Sequence, residues 1–183
     1  MKKKVIATLF ASMVALSGCE TVTSLPYSAS TENVLSMQSK VSKSGNLVRL
    51  GEFSENKDVG SLTCRLNGPV DVSPGKTQAQ FIKEAMQTEL FMAKAYDAAS
   101  DVEITGNLNS LSFSSVSPAS WKLNLTVASN KSAGYTVEIE HPFKTSFSAY
   151  GACQNVAQAF APAVQSLIAE VVKHPDFEKL IGG

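Results

Sequence analysis

The chain has 183 residues, with 16 basic and 16 acidic side chains and a formal net charge of zero. Three lysines lie at positions 2–4, so a chain cut after residue 18 carries 13 basic against 16 acidic residues, a net of −3. That balance excludes the basic footprint needed for nucleic acid or anionic head groups.

Lys2, Lys3 and Lys4 precede an uncharged apolar run, Val5 to Leu16. A membrane-spanning helix needs about 20 apolar residues, so this shorter run reads as a cleaved secretory signal. The alternatives are a soluble secreted protein with a chance cysteine and an uncleaved anchor. Leu16-Ser17-Gly18-Cys19 resembles the lipobox of bacterial lipoproteins. That resemblance implies diacylation of the Cys19 thiol, cleavage before it and acylation of the new amino group. Two or more acyl chains give stable attachment, at about 0.8 kcal/mol per buried CH₂. Glu20, where enteric lipoproteins kept at the inner membrane tend to carry Asp, points to the inner leaflet of the outer membrane. The reading is therefore a signal peptide over 1–18, a flexible tether over 19–45 and a single periplasmic domain over 46–183.

Residues 20–44 show no sustained period, and only a short helical turn near Asn33 to Met37 is expected there. A flexible tether of about 26 residues would hold the domain roughly 30 Å from its anchor. Asn46 to Phe53 and Gly60 to Leu66 alternate as two strands, and the polar loop between them suggests a hairpin. Thr77, with Gln80 three residues later, forms a capping-box signature. The helix it opens is expected to run to about Tyr96, with Phe81, Ile82, Ala85, Met86, Leu90 and Ala93 on one face.

Val102 to Phe113 keeps period two through Leu108 and then changes phase at Leu111, which predicts a bulge near Asn109 or Ser110. Trp121 to Val127 and Tyr135 to Phe147 alternate and form a second hairpin. Pro142 cannot donate to a sheet ladder and marks an edge strand. Ala152 to Lys173 is an amphipathic helix with Pro162 inside it, where a kink is expected. Pro175 ends it, and Asp176 to Ile181 make a final turn. The fold class is α+β: a mixed or antiparallel sheet of about five strands, with two amphipathic helices on one face.

With Cys19 assigned to lipid, Cys64 and Cys153 are left as an even pair in an oxidising compartment. They read as one disulfide, against the alternative of two buried free thiols. Closing about 90 residues would contribute on the order of 4 kcal/mol in the chain-entropy model. Other chemistry lacks residues to carry it. His141 and His174 are far apart in sequence and without an acidic cluster at ligand spacing, so no metal site is expected. No G-x-S-x-G, phosphate loop or dinucleotide fingerprint occurs, so no cofactor and no catalytic residue is assigned. Glu138 and Glu140 share the outward face of a strand, where carboxylates meet water.

The stretches Trp121 to Val127, Tyr135 to Phe147, Ala157 to Ile168 and Pro175-Asp176-Phe177, with the lipobox, resemble the YajG-like family of small envelope lipoproteins. The resemblance implies an outer-membrane lipoprotein with a small α+β domain and no established activity. Two functions of different class follow. One is a non-enzymatic adaptor that docks an envelope protein through an exposed strand edge or the polar sheet face, near Glu138 or Lys144. The other is a carrier for lipid or lipopolysaccharide, whose pocket would be lined by Phe81, Phe91, Tyr135, Phe143 and Phe160.

Overall fold

Alternating apolar residues from Glu103 to Pro142 build the centre of the molecule, and everything else packs against the face they present. The computed structural model describes Val22 and residues 24–57, 59–60 and 62–183. The signal segment, Cys19 and Glu20 lie outside the described residues. In chain order the elements are α1 (Thr31–Ser44), β1 (Arg49–Glu55), β2 (Thr63–Cys64), β3 (Gly68–Pro69), α2 (Gln78–Met92), β4 (Glu103–Ser114), β5 (Ser120–Ser129), β6 (Ser132–Pro142), α3 (Ala149–Lys173) and α4 (Phe177–Leu180).

The main sheet has the order β1-β4-β5-β6. β4, β5 and β6 are antiparallel neighbours, whereas β1 runs parallel to β4. The fold is α+β, with four main strands and a separate two-strand ribbon, β2–β3. One face of the sheet is apolar: Ile104, Leu108, Trp121, Leu123, Leu125, Val127, Val137 and Ile139 are all buried. The expected bulge falls at Asn109, where the pairing steps from Leu108↔Leu125 to Ser110↔Asn124. That extra residue is why Leu111 returns to the buried side out of phase.

The expected hairpin between residues 46–53 and 60–66 does not form. β1 pairs with β4, and Thr63–Cys64 pairs only with Gly68–Pro69. A parallel pair needs a long crossover, usually containing a helix; the stretch holding the ribbon and α2 supplies it. β6 also ends at Pro142 rather than Phe147, because proline cannot extend the ladder. α2 ends at Met92 rather than Tyr96: Lys94 takes a left-handed φ of 56°, and Tyr96 bridges to Val48 instead.

The tether expected over 19–45 is corrected over its second half. Thr31–Ser44 is a 14-residue helix, capped by the Ser30 side chain and closed by Gly45 at φ 73°. Asn33, Met37 and Val41 fall at intervals of four and are buried, so a narrow stripe docks the helix. α3 is the longest helix, 25 residues, and continues through Pro162. Its apolar side, including Val156, Phe160, Val164, Leu167 and Val171, is buried in the common core. The Trp121 indole N–H donates to the Val156 carbonyl at 2.9 Å and pins sheet to helix.

Candidate functional site

The cysteine pair is joined. Cys64 and Cys153 form a buried disulfide with 2.07 Å between sulfurs and 5.8 Å between Cα atoms. It fastens the β2–β3 ribbon to the second turn of α3. Cys19 lies outside the described residues. The two histidines serve separate contacts: His141 Nδ1 lies 3.0 Å from Ser166 Oγ, and His174 stacks on Tyr135 at 3.8 Å between ring centroids. Tyr135 and His141 are six residues apart on β6, about 20 Å, so the histidines are not brought together. Burial pushes the His141 imidazole below its usual value.

Of the five aromatic residues proposed as a lipid pocket, Phe81 and Phe160 meet in the core, and Phe91, Tyr135 and Phe143 lie elsewhere. Phe81, Phe160, Trp121 and Phe113 form a continuous ring-to-ring path through the core, at 5.2, 5.1 and 4.9 Å between successive centroids. Phe91 stands on the surface, Tyr135 stacks on His174, and Phe143 packs at the core margin.

The most unusual group is one that pattern reading passed over. Glu89 lies on the buried stripe of α2, with Ala85, Met86 and Leu90, and is fully buried. Its Oε1 accepts the Tyr27 hydroxyl at 2.5 Å, the Ser30 backbone N–H at 2.9 Å and the Asn33 side-chain amide at 3.3 Å. Among the described residues its Oε2 has no partner. Burial pushes the carboxyl above its usual value, although the bonds from Tyr27, Ser30 and Asn33 oppose the shift. Burial first, then the bond and the charge of Glu89, also raise the Tyr27 phenol. The Asn33 amide donates on to the Gln165 carbonyl at 2.9 Å, and the Gln165 side chain donates to the Ser28 carbonyl at 2.5 Å. Residues 27–33 are thereby latched to both α2 and α3. Spacing alone places Glu89 on the apolar stripe, three residues from Met86 and four from Ala85; the partners that satisfy it come from residues 27–33 and have no signal in the helix.

Beside the latch, the chain before α1 lies along the outer flank of α2. Leu25, Pro26, Tyr27, Phe81, Ala85 and Thr88 line an open cleft of about 400 Å³, with the Lys76–Glu84 ion pair at its rim. A second cleft continues along the same flank past Thr88 to Phe91 and Met92.

The opposite side of the sheet is polar. Asn109, the bulged residue, donates to Asn124 at 2.7 Å and Thr126 at 2.8 Å and accepts from Asn107 at 2.7 Å. Thr126 meets Thr136, and Asn107 accepts from Ser54. On β6, Glu138 and Glu140 are exposed as expected; Glu140 accepts from Ser120 and faces Lys122. Among the described residues, β6 has a sheet neighbour on one side only. Among the described residues no helix is long and apolar enough to cross a membrane.

No protein-family model matches the sequence, and no curated protein matches it. Among solved structures, the chain is similar to a Xanthomonas campestris protein of the family model DUF330. The TM-score is 0.47 and the identity 11%, covering 69% of this chain and 84% of that one.

Proposed function

We propose that the protein is a lipid-anchored envelope lipoprotein, held through Cys19 at the inner leaflet of the outer membrane and facing the periplasm. Its α+β body is a non-enzymatic binding module that docks another envelope protein. The lipobox-like Leu16 to Cys19 and the resemblance to YajG-like lipoproteins support the anchor. The observation that carries the docking role is β6: an 11-residue edge strand with one sheet neighbour among the described residues. Its open side offers a row of backbone donors and acceptors to an added strand, and Thr136, Glu138 and Glu140 on the outward face set side-chain preference.

Two measurements test this reading. Cys19→Ser leaves the chain at precursor size and moves it out of the membrane fraction; unchanged processing and partitioning overturn the anchor. A photo-crosslinker at Glu138 or Lys144 traps one dominant protein adduct in intact cells. A smear of unrelated adducts, together with lipid retained by the delipidated chain in native mass spectrometry, favours a lipid carrier instead.

A further inference from the structure

We propose that the α2 flank bearing Phe91 and Met92, with Leu25 beside it, is a bilayer-contact face, pressed onto the leaflet that holds the anchor by a leash of only two residues. The inference rests on acylation of Cys19 and goes beyond it by fixing how the body sits.

The free chain between anchor and body is short. Val22 is 5% exposed and belongs to the core cluster. Two residues, Glu20 and Thr21, lie between it and Cys19, so the three steps from Cys19 to Val22 reach at most about 11 Å when fully extended. An acylated cysteine sits at the level of the head groups, a layer about 5–7 Å thick per leaflet. Little chain is left over, so the surface around the entering segment lies against the membrane.

That surface carries exposed apolar side chains. Leu25, three residues after Val22, is 50% exposed, and Phe91 and Met92 are 71% and 58% exposed. Positions 81, 84, 85, 88, 91 and 92 repeat at helical spacings of three and four, which puts them on one side of α2. Glu84 and Thr88 line both clefts on this flank, so Leu25 and the Phe91–Met92 pair border one continuous strip. Lys76 is tied to Glu84 within it, which leaves little net charge to repel or require particular head groups. Exposed large apolar side chains beside a lipid attachment point suit partial insertion at the boundary of head groups and acyl chains. The polar Asn-Thr ladder lies across the sheet from the helices and faces the periplasm.

The test uses the full-length acylated protein reconstituted into vesicles of phosphatidylethanolamine and phosphatidylglycerol, with and without lipids brominated near the head groups. Trp121 is the only native tryptophan and is fully buried, so it reports folding and provides the unquenched background. Phe91→Trp and Leu25→Trp are expected to be quenched severalfold more strongly than Glu52→Trp, which sits on the outer side of β1. Equal quenching at all three positions, or none at any, overturns the proposal. So does a discrete protein adduct from a photo-crosslinker at Phe91 in cells, because a protein then covers the strip. The mass of the N-terminal peptide separates the two readings: without acyl mass on Cys19 the anchor and this face fall together, and with it uniform quenching removes this face alone.

Discussion

Replacing Tyr27 by phenylalanine probes the latch with the loss of one oxygen. The ring keeps its edge contact with Phe81, at 6.1 Å between centroids, and Glu89 keeps its bonds from Ser30 and Asn33. What is lost is the 2.5 Å bond to Glu89 Oε1. A hydrogen bond to an ionised group contributes about 1.5–3 kcal/mol net, and one between neutral groups about 0.5–1.5 kcal/mol. The cost therefore depends on the charge of Glu89. Its folded-state value lies above the usual 4.5, so the folded protein holds the proton longer than the unfolded chain. Stability from this group is fully present below 4.5 and is lost as pH rises through the folded-state value. Without the Tyr27 hydroxyl, which favours the charged form, the folded-state value rises further and the loss grows. Tyr27→Phe should thus cost little in acid and about 1.5–3 kcal/mol where Glu89 is ionised. The assay is urea unfolding of the detergent-solubilised protein, followed by Trp121 emission across a pH series. His141 acts with the opposite sign, destabilising as pH falls below its usual 6.5, and it cancels in the difference between wild type and variant. A difference under about 0.5 kcal/mol at every pH, or one that does not change with pH, refutes the reasoning.

Cys153→Ser should lower unfolding stability by about 4–5 kcal/mol, and reductant added to the wild type should reproduce most of that loss in the same urea titration. Gly134 has φ +83°, and a Cβ there would overlap the Val127 carbonyl, so Gly134→Ala should cost more than the about 1–2 kcal/mol of a left-handed residue alone. Gly45→Ala, at φ +73° with open space around it, should cost only about 1–2 kcal/mol; thermal melts of the two variants make the comparison. Asn109→Ala removes three hydrogen bonds on a half-wet face and should cost about 1 kcal/mol, read as a small fall in melting temperature with the same circular dichroism spectrum.

Segments that choose their structure locally were legible in the sequence. Thr77 and Gln80 form the capping box in both directions, and the phase change in β4 located the bulge at Asn109. The pairing of Cys64 with Cys153 followed from compartment and parity rather than from spacing. Elements whose choice is tertiary were not legible. Residues 49–55 find β4 only after a crossover brings the two strands together, and nothing within the segment distinguishes that from a hairpin. α1 rests on Asn33, Met37 and Val41 among polar neighbours, a stripe too narrow to stand out from a linker. Glu89 is a carboxylate at a core position. Its burial makes sense only once Tyr27, Ser30 and Asn33, all before or within α1, arrive to satisfy Oε1.

That arrival connects the latch to the proposed anchor. The segment that satisfies Glu89 is also the segment that would carry load from an anchor at Cys19, and it is fixed at Val22, Tyr27, Ser28, Ser30 and Asn33 before α1 is under way. In Glu89→Ala all three bonds to Oε1 disappear, which leaves the segment to the packing of Val22 and the Gln165 bonds to Asn33 and Ser28, while Met37 and Val41 still hold α1 in the core. If residues before Met37 then come free, the leash grows from a ceiling of about 11 Å to a flexible chain of about 18 residues with a typical span near 23 Å. At that length the α2 flank can leave the bilayer without straining the anchor. Glu89→Ala combined with Phe91→Trp should therefore keep its acyl mass and membrane fractionation but lose brominated-lipid quenching down to the level of Glu52→Trp. Quenching that survives the loss of the latch would mean that the flank holds to lipid by its own apolar surface, and that the short leash is not what seats it.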